Sequence, residues 1–129
     1  MKIGLLTSSR ADFGIYLPLA KLLEEDPFFE LEIIAFGTHL SEDHGSTISE
    51  IEAHGFSVPH KIKTTPSNDS PADIAYSIGE TIKLFSSFWE TSSFDVVLAL
   101  GDRYEMFAAV AAASTFNLNI AHIHAGETT

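Results

Sequence analysis

The chain has no cysteine among its 129 residues. Disulfide bonds, cysteine-ligated zinc and thiol catalysis are therefore excluded. Basic residues are also scarce, because 7 Lys and Arg stand against 18 Asp and Glu, which gives a formal net charge of −11 at pH 7. Proteins that bind nucleic acid use Lys and Arg to neutralise phosphates, so this composition predicts no nucleic-acid partner.

Long hydrophobic runs are missing as well. A membrane-spanning helix needs about 20 consecutive apolar residues, and no stretch of this sequence approaches that length. The start, MKIGLLTSSRADFG, has too short an apolar part for a signal peptide and is typical of a first strand. We therefore expect a soluble, cytoplasmic protein that does not associate with membranes.

The apolar content that is present is that of a folded domain. Hydrophobic residues make up 45% of the chain and aromatic residues 11%, whereas disordered chains have too little apolar surface to offset the entropy of ordering. A chain of this length can bury a core. We predict one domain over residues 1–129, with no internal boundary.

Short apolar runs alternate with helical patterns along the whole sequence. Parallel strands covered on both faces are continuous apolar runs, and five such runs occur: IGLLTS, LEIIAFG, FSVPHKIK, DVVLALGD and NIAHIHAG. The third is the weakest, and Pro59 within it indicates an edge strand. Strands that alternate with helices predict an open, doubly wound, Rossmann-like α/β sheet, and we expect the strand order 3-2-1-4-5.

Several patterns predict where the helices begin and which faces they bury. Pro18 must lie in the first turn of the helix after strand one, or kink that helix. Thr47 and Glu50 have the spacing of a capping box, and Ser70 and Pro71 are typical of the first positions of a helix. The apolar stripes at helical spacing are Ile15, Leu19, Leu22 and Leu23 in the first helix, and Ile74, Ile78, Ile82, Phe85 and Trp89 in the helix after Ser70.

Ligand sites in such sheets lie outside the carboxyl ends of the strands, near the point where the strand order reverses. In the predicted order this switch point lies between the first and fourth strands. The informative segments at that edge are residues 7–14, 37–45, 101–105 and 122–129.

Arg10 lies in the first of these segments, TSSRADFG, where an apolar strand meets a helix. Backbone N–H groups at a helix start favour anions, and a guanidinium is suited to phosphate. Arg10 is therefore a candidate substrate-binding residue, and the alternative is a solvated loop arginine. The segment contains neither G-x-G-x-x-G nor a P-loop, so ordinary dinucleotide or NTP-hydrolase sites are not supported.

Asp102 and Arg103 belong to the segment GDRYE after the fourth strand. Asp102 as a helix N-cap, with Glu105 as its capping-box partner, would explain both carboxylates structurally. Asp102 also lies at the switch point beside Arg10, where it is a candidate catalytic carboxylate, with Arg103 as a second anion contact. One aspartate can do both, so both interpretations stay open.

His122 and His124 end the fifth strand, where alternate residues point to the same face. A pair with this spacing is compatible with metal binding, but the sequence offers no cysteine and no helical H-x-x-x-H to complete a zinc site, and we expect no metal. One histidine is expected to be buried and hydrogen-bonded, and the other to act as an acid or base. Gly126 permits a tight turn that would bring Glu127 back over the strand ends.

Taken together, four segments resemble one enzyme family. TSSRADFG, GTHLSEDHGST, GDRYE and AHIHAGETT have the order and register of the hydrolysing UDP-N-acetylglucosamine 2-epimerases of sialic-acid and related sugar biosynthesis, and they span the whole chain. Members of that family resemble GT-B glycosyltransferases, with two doubly wound domains and an active site in the cleft between them. They convert UDP-N-acetylglucosamine and water to N-acetylmannosamine and UDP through a 2-acetamidoglucal.

The resemblance implies a role for each candidate residue. It also implies a UDP-sugar substrate and neither a metal nor a redox cofactor. The two arginines would hold the diphosphate, and the acidic and histidine side chains would transfer protons at the sugar. The implied catalytic residues are Asp102, His124 and Glu127, and the implied substrate-binding residues are Arg10, Arg103 and His122.

Two features depart from the family pattern. Many relatives have a glutamate where this chain has His124, so proton transfer would pass to its imidazole or to Glu127. Family members are also much longer, and their second domain carries most of the nucleotide contacts. We therefore expect this chain to be the N-terminal domain of such an enzyme, with little or no activity by itself.

Two other classes of function stay open. A stand-alone flavodoxin-like or receiver-like binding module fits the length, the acidity and the strand order. A receiver needs an Asp after strand three and a Lys after strand five, but the chain has KIKTT and HAGETT there, and TSSRADFG only partly matches a flavodoxin phosphate loop. The other class is a structural domain that forms homo-oligomers through an exposed carboxyl edge.

Overall fold

A computed structural model of the protein describes residues 1–40, 47–64, 68–101 and 103–123. Within these ranges no helix has both the length and the apolar character needed to cross a membrane. The elements in chain order are β1 (Lys2–Thr7), α1 (Arg10–Glu25), β2 (Glu30–Phe36), a short 3₁₀ helix (Gly37–Leu40), α2 (Ile48–Ala53), β3 (His60–Ile62), α3 (Pro71–Glu90), β4 (Val96–Leu100), α4 (Tyr104–Ser114) and β5 (Ile120–Ile123).

The five strands form one parallel sheet in the order β3-β2-β1-β4-β5. Both the strands and their order are as predicted from the sequence. Leu5 of β1 lies opposite Ile33 of β2 on one side and Leu98 of β4 on the other. β3 is the short edge strand that the weak apolar run and Pro59 indicated.

Helices cover both faces of the sheet because successive strand residues point to opposite sides. Leu5 and Ile33 pack in a core with residues of α1 and α2. Leu6 and Ile34 pack in a second core with residues of α3 and α4. In this second core the Trp89 indole N–H donates to the carbonyl of Ala109 at 3.1 Å, which joins α3 to α4. The sheet is therefore doubly wound, with one helix layer on each face.

The apolar stripe predicted for α1 is wrong. Ile15 and Leu22 are 58% and 66% exposed, and Pro18 lies inside the helix at an exposed position rather than in the first turn. The prediction from apolar spacing failed because one buried position of the helix carries a carboxylate, and a search for apolar residues does not find such a position. The buried residues of α1 are Asp12, Phe13, Tyr16 and Ala20.

The capping box predicted for Thr47 and Glu50 does not form. Thr47 is the N-cap residue of α2, but its side chain makes no capping hydrogen bond. Its hydroxyl instead lies 2.5 Å from Nδ1 of His39. Both side chains are thus used for contacts outside α2, because Glu50 pairs with Arg10 of α1.

The start of α3 is as predicted, whereas its buried face is shifted. Ser70 caps the helix by accepting a hydrogen bond from the Asp73 N–H at 3.1 Å, and Pro71 is the first helical residue. The predicted isoleucines of the stripe are only half-buried. The fully buried line shares only its last two members with the prediction: Ser77, Thr81, Phe85 and Trp89.

Candidate functional site

The carboxyl ends of β1 and β4 lie side by side because the two strands are parallel neighbours. The segments that follow them, and the end of β5, therefore meet at one edge of the sheet. The predicted substrate-binding residues at this edge are Arg10 after β1, Arg103 after β4 and His122 in β5. The predicted catalytic residues lie outside the described residues: Asp102, His124 and Glu127.

A buried polar cluster surrounds the start of α1, and sequence reasoning missed it. Asp12 Oδ2 accepts hydrogen bonds from the Ser8 N–H at 2.9 Å and from the Ser8 hydroxyl at 2.8 Å. Asp12 Oδ1 accepts from the Ser9 N–H at 3.3 Å and from the Thr7 hydroxyl. The Asp12 N–H in turn donates to Ser9 Oγ at 3.3 Å, which completes a capping box. We call this cluster, with two further members, the Asp12 network: Thr7, Ser8, Ser9, Asp12, His39 and Thr47.

The Asp12 network uses two of the backbone N–H groups near the start of α1. The N–H groups of Ser8 and Ser9 donate to Asp12. Asp12 accepts four hydrogen bonds through its oxygens, and its carboxylate would repel a second anion placed directly beside it. Arg10 is the nearest cation in the sequence, so its side chain is the candidate phosphate contact at the start of α1.

His39 is fully buried at the end of β2 and connects the two ends of the network. Its Nε2 lies 2.8 Å from Thr7 Oγ1 and its Nδ1 lies 2.5 Å from Thr47 Oγ1. Because the Thr7 hydroxyl donates its proton to Asp12, Thr7 Oγ1 must accept from His39, so the proton of the neutral ring is on Nε2. The Thr47 hydroxyl then donates to Nδ1.

The neutral form of His39 is favoured by its surroundings. Burial lowers the pKa of His39 below its ordinary value of 6.5, and the attraction of the Asp12 carboxylate only partly opposes this effect. Burial and the hydrogen-bond geometry therefore favour the same form of His39, the neutral ring with its proton on Nε2.

Gly37 allows the segment after β2 to contact the β1–α1 loop closely. Its φ is +61°, and a Cβ at this position would lie 2.8 Å from the carbonyl oxygen of Ser8. That carbonyl accepts from the Thr38 N–H at 2.9 Å and from the Thr38 hydroxyl at 3.0 Å. A backbone contact therefore reinforces the side-chain network between the same two segments.

Arg10 is the first residue of α1, and its side chain is 71% exposed. Its Nε lies 2.7 Å from Glu50 Oε2 of α2. Within the described part of the chain, the two terminal nitrogens of the guanidinium make no further ion pair or hydrogen bond. They are the donors that bind phosphate in a forked geometry, and the contact that holds Arg10 is made by its Nε.

Arg103 is the N-cap residue of α4, and its side chain is 66% exposed. Its Nε lies 3.6 Å from Oε2 of Glu105, whose side chain is 13% exposed. The helix begins at Tyr104 and makes no side-chain capping bond. The N-cap position is thus Arg103, and Glu105 faces Arg103; Asp102, the N-cap expected from the sequence, lies outside the described residues.

His122 is exposed, and its Nε2 lies 2.5 Å from the carbonyl oxygen of Gly101. Because a carbonyl only accepts, Nε2 is the protonated nitrogen and Nδ1 is left for another partner. His122 is thus not the buried histidine that was expected of one member of the pair. Among the described residues, no group of three His, Asp or Glu side chains is arranged to hold a metal ion.

Comparison with known proteins identifies one family. Residues 21–129 match the family described as UDP-N-acetylglucosamine 2-epimerase. A UDP-N,N'-diacetylbacillosamine 2-epimerase (hydrolyzing) of Legionella pneumophila is 37% identical over 126 residues, which are 98% of this chain and 33% of that protein. The polysialic acid biosynthesis protein P7 of Escherichia coli is 35% identical over 128 residues, 99% of this chain and 33% of its own length.

Solved structures show the same fold. The UDP-GlcNAc 2-epimerase of Neisseria meningitidis bound to UDP-GlcNAc superposes with a TM-score of 0.80 at 19% identity, over 100% of this chain and 33% of that one. Another UDP-N-acetylglucosamine 2-epimerase gives a TM-score of 0.85 at 17% identity, over 100% and 34%. The chain thus spans about a third of the length of the proteins that it matches.

Proposed function

Because this chain belongs to the UDP-N-acetylglucosamine 2-epimerase family, we propose that it forms one wall of the active site of a hydrolysing 2-epimerase. The proposed reaction converts UDP-N-acetylglucosamine and water to N-acetylmannosamine and UDP. Relatives whose names include the hydrolysing reaction are 37% and 32% identical to this chain. In the proposed enzyme, residues 1–129 are the N-terminal Rossmann-like domain, and a second domain of the GT-B type supplies the other wall of the cleft.

The observation that carries the proposal is the shared position of Arg10, Arg103 and His122. Three different strands lead to these residues, and all three strands end at the same edge. The two arginine side chains are 71% and 66% exposed there, in a chain whose formal net charge is −11. Two exposed arginines at one edge of an acidic protein, each paired with a glutamate through Nε, are candidate contacts for a diphosphate.

The proposed roles follow from the chemistry of the reaction. A base removes the C2 proton while the C1–O bond breaks, and its electrons leave with UDP, which gives the 2-acetamidoglucal. The C2 proton is weakly acidic, so stabilisation of the leaving diphosphate matters as much as the base. We assign that stabilisation to Arg10 and Arg103.

Water then adds across the C1–C2 double bond. Its hydroxyl bonds to C1, and a proton is delivered to the face of C2 opposite to the one from which the first proton was removed. We assign the two proton transfers to Asp102, His124 and Glu127. The Nε2–H of His122 is used by the Gly101 carbonyl oxygen, so Nδ1 is the ring nitrogen left for the substrate. A sugar hydroxyl is a suitable donor to that nitrogen, and we therefore place His122 on the substrate.

The sugar of the natural substrate has two candidate forms. The Legionella pneumophila and Campylobacter jejuni relatives are named for N,N'-diacetylbacillosamine, whereas the family is described by UDP-N-acetylglucosamine. A UDP-sugar with a second acetamido group is therefore the alternative substrate. Both sugars have the C2 proton and the UDP leaving group that the mechanism requires.

The β1–α1 loop argues against the alternative of a flavodoxin-like module. Such a module binds a phosphate with the N–H groups of this loop, but those of Ser8 and Ser9 donate to Asp12. A receiver-like module is not favoured either, because Lys63 and Thr64 follow β3 where an acceptor aspartate is needed. The arginine side chains therefore fit a UDP-sugar better than they fit these alternatives.

The proposal is tested with a chimera in which residues 1–129 replace the matching third of the Legionella relative. UDP release is measured with UDP-N-acetylglucosamine and with the diacetamido sugar in parallel. We expect UDP release from at least one of them, and the preferred sugar identifies the substrate. A folded chimera that releases UDP from neither sugar would contradict the proposed function.

A further inference from the structure

We infer that the Asp12 network is a positioning device for Arg10, with His39 as the residue that joins its two halves. The inference rests on the proposed function only in taking Arg10 as a contact of the diphosphate. His39, Thr7 and Asp12 are positioning residues in this account, because they act through Arg10 and not on the substrate.

The backbone of Arg10 is held from both sides by the network. Ser9 precedes Arg10 and exchanges two hydrogen bonds with Asp12, each of 3.3 Å. Asp12 follows two residues later and is bound to Ser8 by two more, at 2.9 and 2.8 Å. The hydrogen bonds between the residues before and after Arg10 therefore form a closed ring, which fixes the position of the Arg10 Cα.

The side chain of Arg10 is held by the other end of the same network. Its Nε contacts Glu50 at 2.7 Å, and Glu50 lies one turn along α2 from Thr47, the N-cap residue. Thr47 is bound to His39 through its hydroxyl at 2.5 Å and through its N–H to the carbonyl of His39 at 3.4 Å. The position of Glu50, and with it the direction of the guanidinium, thus depends on His39.

His39 connects the hydrogen bonds around the backbone of Arg10 to the contacts that hold its side chain. The connecting hydrogen bonds all donate in the same direction, from Thr47 towards Asp12. Thr47 donates to Nδ1 of His39, Nε2–H donates to Thr7, and Thr7 donates to Asp12. Reversing the chain would require a proton on Asp12, which already accepts four donors. The network therefore permits one arrangement of the β1–α1 loop, and a binding residue on a preorganised support loses less entropy when its ligand binds.

Stability alone does not account for burying so many polar groups. Replacing a buried polar or ionic cluster by apolar residues of similar volume is often neutral or stabilising. Thr7, Asp12 and His39 are buried at an edge that borders the two apolar cores. A positional role at the start of α1 explains why polar side chains occupy this place.

The first test uses NMR on the 129-residue chain without ligand, at pH 7.5. The ¹⁵N signals of His39 are expected to show the neutral ring with its proton on Nε2. In His39→Gln, the side-chain amide can replace Nε2 as the donor to Thr7, so the Arg10 backbone amide signal is expected to stay at its wild-type position. In His39→Asn, which is too short to reach Thr7, that signal is expected to shift.

Two outcomes of this NMR test overturn the inference. One is unchanged Arg10 signals in His39→Asn, and the other is a His39 proton on Nδ1. If His39→Asn fails to fold, Thr47→Val is used instead, since it keeps the shape of Thr47 and removes the hydroxyl that links His39 to α2. Unchanged Arg10 Nε–H signals in a folded Thr47→Val chain overturn the inference equally.

The second test is a double-mutant cycle on the affinity for UDP of the chimera described above, which contains both walls of the proposed cleft. Arg10→Ala is expected to weaken binding about tenfold, the loss of one charge-assisted hydrogen bond. His39→Asn is expected to weaken binding in the wild-type background and to have no further effect in the Arg10→Ala background. Equal effects of His39→Asn in both backgrounds overturn the inference, because His39 would then not act through Arg10.

The two tests separate failure of the inference from failure of the proposed function. If Arg10→Ala leaves the affinity of the chimera for UDP unchanged while the Arg10 amide signal responds to His39→Asn and not to His39→Gln, the positioning device stands and the diphosphate contact is wrong. If UDP binds and the cycle is additive, the contact stands and the positioning device is wrong.

Discussion

His39 Nε2 lies 2.8 Å from Thr7 Oγ1, in a buried contact that joins the end of β2 to the end of β1. These two strands are neighbours in the sheet, and the segments after them border the candidate active site. The contact links two side chains that are 32 residues apart in the sequence. It joins the hydrogen bonds of Asp12 around the backbone of Arg10 to the contacts of Thr47 and Glu50 that hold the Arg10 side chain.

We predict that Gly37→Ala destabilises the chain by about 1–3 kcal/mol, because the new Cβ would have to occupy a left-handed backbone conformation and would lie 2.8 Å from the Ser8 carbonyl oxygen. Urea denaturation measures the change. Gly79→Ala is the matched control, since it lies in α3 with no atom within 4 Å of the added Cβ. The control is expected to stabilise by about 0.5–1 kcal/mol, and equal effects of the two substitutions would argue against the close contact.

The burial of His39 predicts a pH dependence of stability. The pKa of His39 is lowered in the folded chain from its ordinary value of 6.5, so the unfolded chain binds more protons as the pH falls below that value. The free energy of unfolding should therefore decrease as the pH falls from about 6.5, by at most about 1.4 kcal/mol per pH unit for one proton.

His39→Gln is the control for this pH dependence, because glutamine does not titrate. The measurement is urea denaturation of both chains between pH 5.5 and 8. The wild-type chain should lose stability relative to the variant below pH 6.5. A constant difference across this range would show that His39 has no lowered pKa.

Tyr16 has a buried hydroxyl without a hydrogen-bond partner among the described residues. Burial, followed by the nearby Asp12 carboxylate, raises the pKa of Tyr16 well above its ordinary value of 10.0. Removing an unpaired buried hydroxyl relieves a cost of about 1–3 kcal/mol, so Tyr16→Phe should raise the midpoint of thermal unfolding. Tyr76→Phe, at a residue that is 68% exposed, should leave the midpoint unchanged. A clear loss of stability in Tyr16→Phe would reveal a partner for the hydroxyl.

The proposed diphosphate contact of Arg103 predicts a defect in substrate binding. In the chimera, Arg103→Ala should raise KM for the UDP-sugar about tenfold, as expected when a charge-assisted hydrogen bond is lost. Lys83→Ala removes a charge from a side chain that is 78% exposed on α3, away from the carboxyl edge, and should leave KM unchanged. Steady-state kinetics measure both KM values, and equal values for Arg103→Ala and Lys83→Ala would show that Arg103 does not contact the substrate.

The sequence predicted the fold well because the strands of this sheet are local apolar runs. β1, β2 and β4 are buried on both faces, and a buried parallel strand needs only apolar residues in succession. The helix faces were predicted less well. α1 buries Asp12 and leaves Ile15 exposed, a choice that depends on a network formed with distant residues.

The position of the candidate site at the carboxyl edge was predicted from the strand order, but the Asp12 network beside it was not predicted. Arg10, Arg103 and His122 lie at the edge where the strand order placed them. Ser9 and Asp12 carried a local signal, since serine followed three residues later by an acid is a capping pattern. His39 lies in the segment GTHLSEDHGST that carried the family resemblance, but its contacts were not predicted, because Thr7 and Thr47 are brought to it only by the folded sheet.

In the proposed function, the carboxyl edge belongs to an enzyme that exchanges the C2 proton of a UDP-sugar. The most direct test runs the chimera in D₂O and measures both UDP release and deuterium at C2 of the product. We predict one deuterium at C2 for the wild-type edge. For Asp102→Asn we predict a decrease of about a hundredfold or more in both signals, the typical contribution of an acid or base. A product without deuterium at C2, or wild-type rates in Asp102→Asn, would contradict the account.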